Sequence, residues 1–188
     1  MTAFNNKQII VSCDTTVGNI DIIVEKEWSP NGANRFIELV EDKFFDNSSM
    51  FRSIRNWLSQ FGIANTIDKN TKWETPIHDD NRAPARFKKG FVSFAGSGVN
   101  SRTTQLFFTF NDNNNLGNSP WETPIGYVTP ETLYVLDKIN CEYGDIHPWN
   151  NNGPDPRIIK VSGNDYLKEK FPNLTYFNKC TVKYLDIV

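Results

Sequence analysis

Ile9, Val11 and Cys13 alternate with Gln8, Ile10, Ser12 and Asp14, and Ile20, Ile22 and Val24 resume the alternation after Thr15–Asn19. A period of two buries one face of a strand, so the pattern predicts a strand, a turn and a return strand. Ser29-Pro30 then opens a helix, with Ser29 suited to cap it and Pro30 to its first turn. Phe36, Leu39 and Val40 form the apolar stripe of that helix, which ends near Asp42 or Lys43. Further strands are expected within residues 50–54 and 57–62, at Phe91–Ala95 and at Leu106–Phe110. Residues 64–90, with Pro76, Asp79, Asp80, Asn81 and Pro84, read as loop, and Asn111–Asn118 as a turn or surface loop. Thr129-Pro130 starts a second helix with Leu133, Leu136 and Ile139 on one face. A polar connection over Gly144–Asp155 precedes a helical turn or two near residues 164–169. Val182, Tyr184 and Ile187 alternate in a closing strand. Many short strands and two helices favour an all-β barrel or sandwich over a βαβ sheet.

The pentapeptide Trp-Glu-Thr-Pro-Ile occurs at 73–77 and at 121–125 in different surroundings, which suits two Pro-locked loops better than a duplication. A length of 188 residues fits one domain, expected to span 1–188, with a sizeable core. Twenty Lys and Arg against twenty-two Asp and Glu give a net charge of -2 and no basic block, so neither nucleic acid nor an anionic membrane is an expected partner. No run of about 18 apolar residues and no basic n-region with an apolar h-region is visible, which points to a cytoplasmic protein. Cys13, Cys141 and Cys180 form no spaced motif. Their odd number argues against a fully paired framework, and each is expected to fill a small apolar site in a strand. Asparagine is abundant, with 23 residues, and suits a loop-rich chain.

The chemistry is concentrated in three runs. Met50-Phe51-Arg52-Ser53-Ile54 leads into Trp57-Leu58-Ser59-Gln60-Phe61-Gly62, and Thr104-Gln105-Leu106-Phe107-Phe108 follows later. One guanidinium, two amides and several large apolar residues on strands suit the holding of an extended peptide against an apolar pocket. In an arbitrary chain Arg52 would be a surface ion-pair residue, and Trp57 and Phe107 would be core. Ser59 and Ser97 have no evident His base, so a hydrolase is not expected. His78 and His147 lie apart without ligand spacing, so no metal and no cofactor is expected.

With these runs the chain resembles the cyclophilin family of peptidyl-prolyl isomerases. Met50–Ile54 stands where the family has Phe-His-Arg-Val-Ile, and Trp57–Gly62 where it has Phe-Met-x-Gln-Gly-Gly. Gly90–Ala95 matches the strand before the substrate loop, Thr104–Phe108 its Ser-Gln-Phe-Phe-Ile, and Gly126-Tyr127-Val128 its Gly-x-Val. The Phe94–Phe107 spacing fits without a gap. The resemblance covers most of 8–188, and the tail around 163–172 is similar to a longer bacterial or protist branch.

The resemblance implies an eight-stranded antiparallel closed barrel capped by two α-helices, with the site on its outer surface. It implies cofactor-free isomerisation of X-Pro bonds, with Arg52 as the catalytic arginine and Gln60 as a substrate-orienting amide. Trp57, Leu58 and Phe107 would line the proline pocket beside Gln105, and Ala95, Gly96 and Ser97 would form the rim that meets the peptide backbone. Phe51 replaces the family's histidine, Met50 its phenylalanine and Gly96 its common asparagine. Leu116 aligns with a family leucine, but the path after it is longer, so the pocket histidine falls on Pro120 or Glu122. Asn115 stands at the tryptophan associated with cyclosporin, a space Trp121 could fill, which implies weak cyclosporin binding. The expected partners are proline-containing peptides or proteins in protein folding. Two other readings are a module of the same fold that binds proline-containing segments without useful turnover, and a barrel enclosing a small ligand.

Overall fold

The computed structural model describes residues 7–80, 86–113 and 115–186. Eight strands form one antiparallel curled sheet: β1 (Lys7–Thr15), β2 (Gly18–Val24), β3 (Arg52–Ile54), β4 (Leu58–Phe61), β5 (Phe91–Phe94), β6 (Leu106–Thr109), β7 (Pro124–Val128) and β8 (Phe177–Asp186). Their spatial order is β3-β4-β6-β5-β7-β2-β1-β8. The two ends of the sheet meet just outside the strands. Ser49 and Tyr176 form an antiparallel bridge, Met50 N donates to Thr175 O at 2.9 Å and Phe177 N donates to Ser48 O at 2.9 Å. The barrel therefore closes through a short bridge instead of a full ladder.

The alternation in β1 and β2 works as the sequence suggests: Ile9, Val11, Cys13, Ile20, Ile22 and Val24 are all buried. They meet Phe61, Val92, Phe94, Leu106, Phe108 and Ile125 inside the barrel. Helix α1 (Pro30–Glu41) lays Phe36, Ile37, Leu39 and Val40 onto the same core. Its cap differs from the expectation. Ser29 makes no side-chain bond to the helix; Asp80 accepts from Asn31 N and Gly32 N, both at 2.9 Å, and Ser29 Oγ donates to the same carboxylate. A carboxylate on the orphan N–H groups of a first turn satisfies them and suits the positive end of the helix.

The helical content is distributed differently from the pattern reading. Loop-rich 64–90 contains a short helix, α2 (Ile67–Lys72). The second helix expected from Thr129-Pro130 is a turn followed by 3-10 helix over Leu133–Lys138. Its start is pinned to β2, with Thr129 N donating to Asp21 O and Asp21 N to Thr132 Oγ1, and Ile139 is already extended. The tighter helix spans more length per residue between fixed ends. The largest surprise is α3 (Pro156–Lys170), where one or two turns were expected. Asp155 caps it by accepting from Arg157 N, and Pro156 takes the first position. Gly163, with φ +54, bends it through a non-helical backbone, and glycine is needed there because a Cβ would lie 2.7 Å from Asn65 O.

These C-terminal elements build a second core. Phe51, Ile63, Ile146, Ile159, Leu167, Phe171 and Leu174 pack together, with Tyr143, Tyr166 and Tyr176 at the margin. Phe51, which replaces the histidine of the family pattern, thus supports the C-terminal segment. In β8, Cys180 is buried, Val182 is partly buried and Tyr184 is 49% exposed, so the closing alternation fades along the strand. Ile187 lies outside the described residues. Cys13 and Cys180 are register partners in β1 and β8 and form a disulfide, which the odd cysteine count concealed; Cys141 is free and lies in a loop. The second Trp-Glu-Thr-Pro-Ile is not a plain loop either, since Pro124 and Ile125 begin β7. Among the described residues no helix is long and apolar enough to cross a membrane.

Candidate active site

Strand register assembles the candidate residues. Arg52 pairs with Gln60, Gln60 with Phe107, and Phe107 with Ser93. Lateral partners point to the same side of a sheet. Phe61, Leu106 and Phe108 fill the barrel, so their neighbours Gln60 and Phe107 face outward. Arg52, Gln60 and Phe107 therefore form one row across β3, β4 and β6 on the outer surface.

Hydrogen bonds fix the polar half of this row. Arg52 Nη1 donates to Gln60 Oε1 at 3.0 Å, and Gln60 Nε2 donates to Gln105 Oε1 at 2.8 Å. Arg52 Nε donates to Asp145 Oδ1 at 2.7 Å. Asp145 is itself held, because Ile146 N donates to the same oxygen at 2.8 Å. A guanidinium has five N–H donors in a rigid plane. These contacts engage one edge and one corner of it and leave further N–H groups for a ligand. The Arg52 guanidinium carbon lies 5.2 Å from the Trp57 ring centre and 5.9 Å from that of Trp149, within cation–π range.

The apolar half is a separate cluster. Leu58, Phe87, Phe107 and Leu116 are buried together, with Trp57, Phe91 and Ala95 partly exposed against them. Phe87 stacks behind Phe107 with centres 5.9 Å apart. Phe107 and Leu58 are 3% and 4% exposed, so little of either side chain is open to solvent.

The expected rim divides. Ala95 reaches the apolar cluster, and its N–H donates to Gln105 O at 2.9 Å. Gly96 is covered by Trp121: a Cβ on Gly96 would lie 2.7 Å from Trp121 Cβ. Glycine at this position is what lets the tryptophan close over it. Ser97 is exposed, and its N–H is already bonded to Ser101 Oγ at 2.8 Å. Asn115 is exposed, and Glu122 Oε2 accepts from Gly117 N. Among the described residues no three His, Cys, Asp or Glu side chains are placed to hold a metal.

Sequence reasoning missed Asp145 and Trp149. Both sit in the Gly144–Asp155 connection, which it read as polar loop. The contact of Arg52 with Asp145 spans 93 residues, and Gly144 reaches Ser53 by a single bridge, so no local pattern marks either residue.

Comparison with known proteins agrees with this architecture. The family model "Cyclophilin type peptidyl-prolyl cis-trans isomerase/CLD" matches residues 10–162. The chain is 29% identical over 163 residues to peptidyl-prolyl cis-trans isomerase cypE of Dictyostelium discoideum, covering 82% of this chain and 97% of that one. It is 28% identical over 125 residues to the spliceosome-associated protein CWC27 homolog of Xenopus laevis, covering 65% of this chain but only 26% of that longer protein. A crystal structure of a cyclophilin type peptidyl-prolyl cis-trans isomerase from Cryptosporidium parvum has the same fold, with a TM-score of 0.67 at 15% identity, over 95% of this chain and 98% of that one. A second crystal structure from that organism, in the presence of the dipeptide Ala-Pro, gives 0.66 at 15% identity, over 93% and 98%. The chain belongs to the cyclophilin-type peptidyl-prolyl cis-trans isomerase family.

Proposed function

We propose that this chain isomerises X-Pro bonds in peptides and proteins, with no cofactor. The row Arg52–Gln60–Phe107 carries the reading. It sets a cation with further N–H donors beside the apolar cluster of Leu58, Phe107, Leu116 and Trp57. Rotation about an X-Pro bond faces a barrier of about 18–20 kcal/mol, because the nitrogen lone pair is delocalised into the carbonyl. A donor aimed at that nitrogen draws the lone pair away from the carbonyl and weakens the double bond. Arg52 suits this because it stays protonated and Asp145 and Gln60 fix its plane. Leu58, Trp57 and Phe107 clamp the ring, while Gln60 and Gln105 orient the chain. The twisted state is thereby favoured over either planar one. Ala95 forms the rim, with Gly96 under Trp121 and Ser97 an exposed neighbour whose N–H is already bonded to Ser101 Oγ.

The decisive experiment follows cis-to-trans relaxation of a short X-Pro peptide with wild type and Arg52→Ala. Acceleration that falls sharply in the variant supports the isomerase. No acceleration by folded wild type, across several residues before proline, overturns it. The near closure over Phe107 and Leu58 favours one second reading, a module that binds proline-containing segments without turnover. In that case a peptide titration saturates while relaxation stays unchanged.

Several finer points belong to the same proposal. Residues 1–188 act as one domain, supported by the pairing of β8 with β1. The clients are exposed X-Pro bonds of folding chains, and with a net charge of -2 neither nucleic acid nor a membrane is a partner. Cyclosporin binds weakly, since Trp121 covers Gly96 where an open rim would be needed. The cytoplasmic assignment rests on sequence character alone, and the Cys13–Cys180 pair is the observation against it, as oxidising compartments favour disulfides.

A further inference from the structure

Trp149 is 73% exposed, yet the segment that carries it is firmly built. Asn150 N donates to Ile146 O at 2.9 Å and Asn150 Nδ2 to Tyr143 O at 2.9 Å. Gly153 N donates to Asn150 O at 3.0 Å, and His147 N to Pro154 O at 3.1 Å. Ile146 is anchored in the second core. Gly153 permits the close return, since a Cβ there would lie 1.9 Å from Asp145 O. A tightly tied turn thus presents a large ring to solvent at the point where Asp145 grips Arg52.

The position continues the row. Across the outer surface, Phe107 on β6, Gln60 on β4 and Arg52 on edge strand β3 follow one another, and Trp149 stands next, 5.9 Å from the Arg52 guanidinium carbon. A peptide that places its proline at Phe107 and runs along the row toward β3 passes Arg52 and then meets this ring. Exposed aromatic rings on a rigid frame give contact area with little ordering cost.

We infer that Trp149 is a specificity-determining residue: its ring forms a subsite for an aromatic or large aliphatic side chain next to the proline, on the Arg52 side of the substrate. The inference rests on the isomerase reading. Covering about 40 Å² of the ring corresponds to roughly a fivefold lower KM. The turn sits outside the rotating bond, so the gain appears in KM and not in kcat.

The test compares Ala-Ala-Pro-Ala peptides with two series, carrying Phe or Leu either just before or just after the proline. Relaxation rates give kcat and KM for wild type, Trp149→Ala and Trp149→Phe. One series is expected to show the fivefold lower KM in wild type, with the preference lost in Trp149→Ala and recovered in Trp149→Phe. Equal KM for all peptides in an active wild type, or a preference that survives Trp149→Ala, overturns the subsite alone. Absence of relaxation activity on every peptide fells the isomerase reading instead; binding titrations of the same peptides then decide the subsite by the same loss and recovery of preference.

Discussion

Arg52 and Arg102 both reach carboxylates, and they end in opposite surroundings. Arg52 bonds Asp145 at 2.7 Å and keeps 18% of its side chain exposed. Arg102 is 0% exposed, with Nη2 bonded to Asp80 Oδ2 at 3.1 Å and to His78 O, and Nη1 to Ser29 Oγ at 3.3 Å. Its face lies 5.6 Å from Phe94, and Nε stands 3.6 Å from Asp79 Oδ1, beyond normal hydrogen-bond length. Asp80 meanwhile caps α1, so this cluster rivets the start of the helix to residues 78–80 and 102. The difference teaches what marks a ligand-ready guanidinium here. Charge pairing does not, since both have it. Arg52 is held along part of its plane beside an apolar surface, with donors left over, whereas Arg102 is enclosed on every side.

The comparison breaks most visibly at Arg102. Removing one partner of a buried ion pair leaves the other charge unpaired and costs about 3–5 kcal/mol. Arg102→Ala is therefore expected to lose that much in urea unfolding, because Asp80 and Asp79 stay behind. A loss below about 1 kcal/mol would show the cluster to be hydrated rather than structural.

Arg52→Ala should do the reverse. Its unfolding midpoint stays near wild type, while kcat/KM falls about 10²–10³-fold, the usual consequence of losing one aimed donor. Arg52→Lys recovers little, since an ammonium cannot address Asp145 and Gln60 through a rigid fork. Full activity in the alanine variant would remove Arg52 from the site.

Asp145 gives a smaller, sharper test, because its role runs through Arg52. We expect Asp145→Ala to lower kcat about tenfold with KM little changed, as a displaced catalytic group does. Asp145→Asn should recover part of the loss through the acceptor it retains. Equal loss in both variants would mean that charge, not orientation, is what Asp145 supplies.

Much of the candidate site was legible in the sequence, and the reason is the ordered runs that match the family's motifs. Arg52, Gln60 and Phe107 lie in contiguous runs on short strands, so an ordered motif fixes their neighbours. The strands and α1 were legible through alternation and through the stripe of Phe36, Leu39 and Val40. What escaped depends on contacts remote in the chain. Asp80 displaces Ser29 as the cap of α1 from 48 or more residues away, and Asp145 and Trp149 arrive from a segment with no periodicity. Helix α3 escaped because Gly163 interrupts its pattern and only Ile159, Gly163 and Leu167 are buried along it. The Cys13–Cys180 pair followed from the β1–β8 register, which sequence spacing does not contain.

The smallest expected effect lies at Asp155, in the segment that supports the Arg52 face. The side-chain bond from Arg157 holds the Asp155 carboxyl at about 2, against the opposing influence of burial and with help from the Arg157 N–H. A carboxyl depressed in the folded state contributes stability that is present above its unfolded value, near 3.8, and lost as pH falls through about 2. Asp155→Ala removes the cap of α3 as well and should cost about 1 kcal/mol at pH 7. Asp155→Asn keeps a capping acceptor but has no proton to take up. Its cost at pH 7 should be smaller, and its stability should fall less than that of wild type between pH 4 and pH 2. Urea midpoints at pH 7, 4 and 2.5 measure both slopes. Parallel acid limbs for wild type and Asp155→Asn would place the acid sensitivity elsewhere. The first candidate is then Asp80: burial alone would raise its carboxyl, but bonds from Ser29, Asn31 and Gly32 and the Arg102 charge hold it low. Protonating that group would loosen the enclosed arginine rather than the open one.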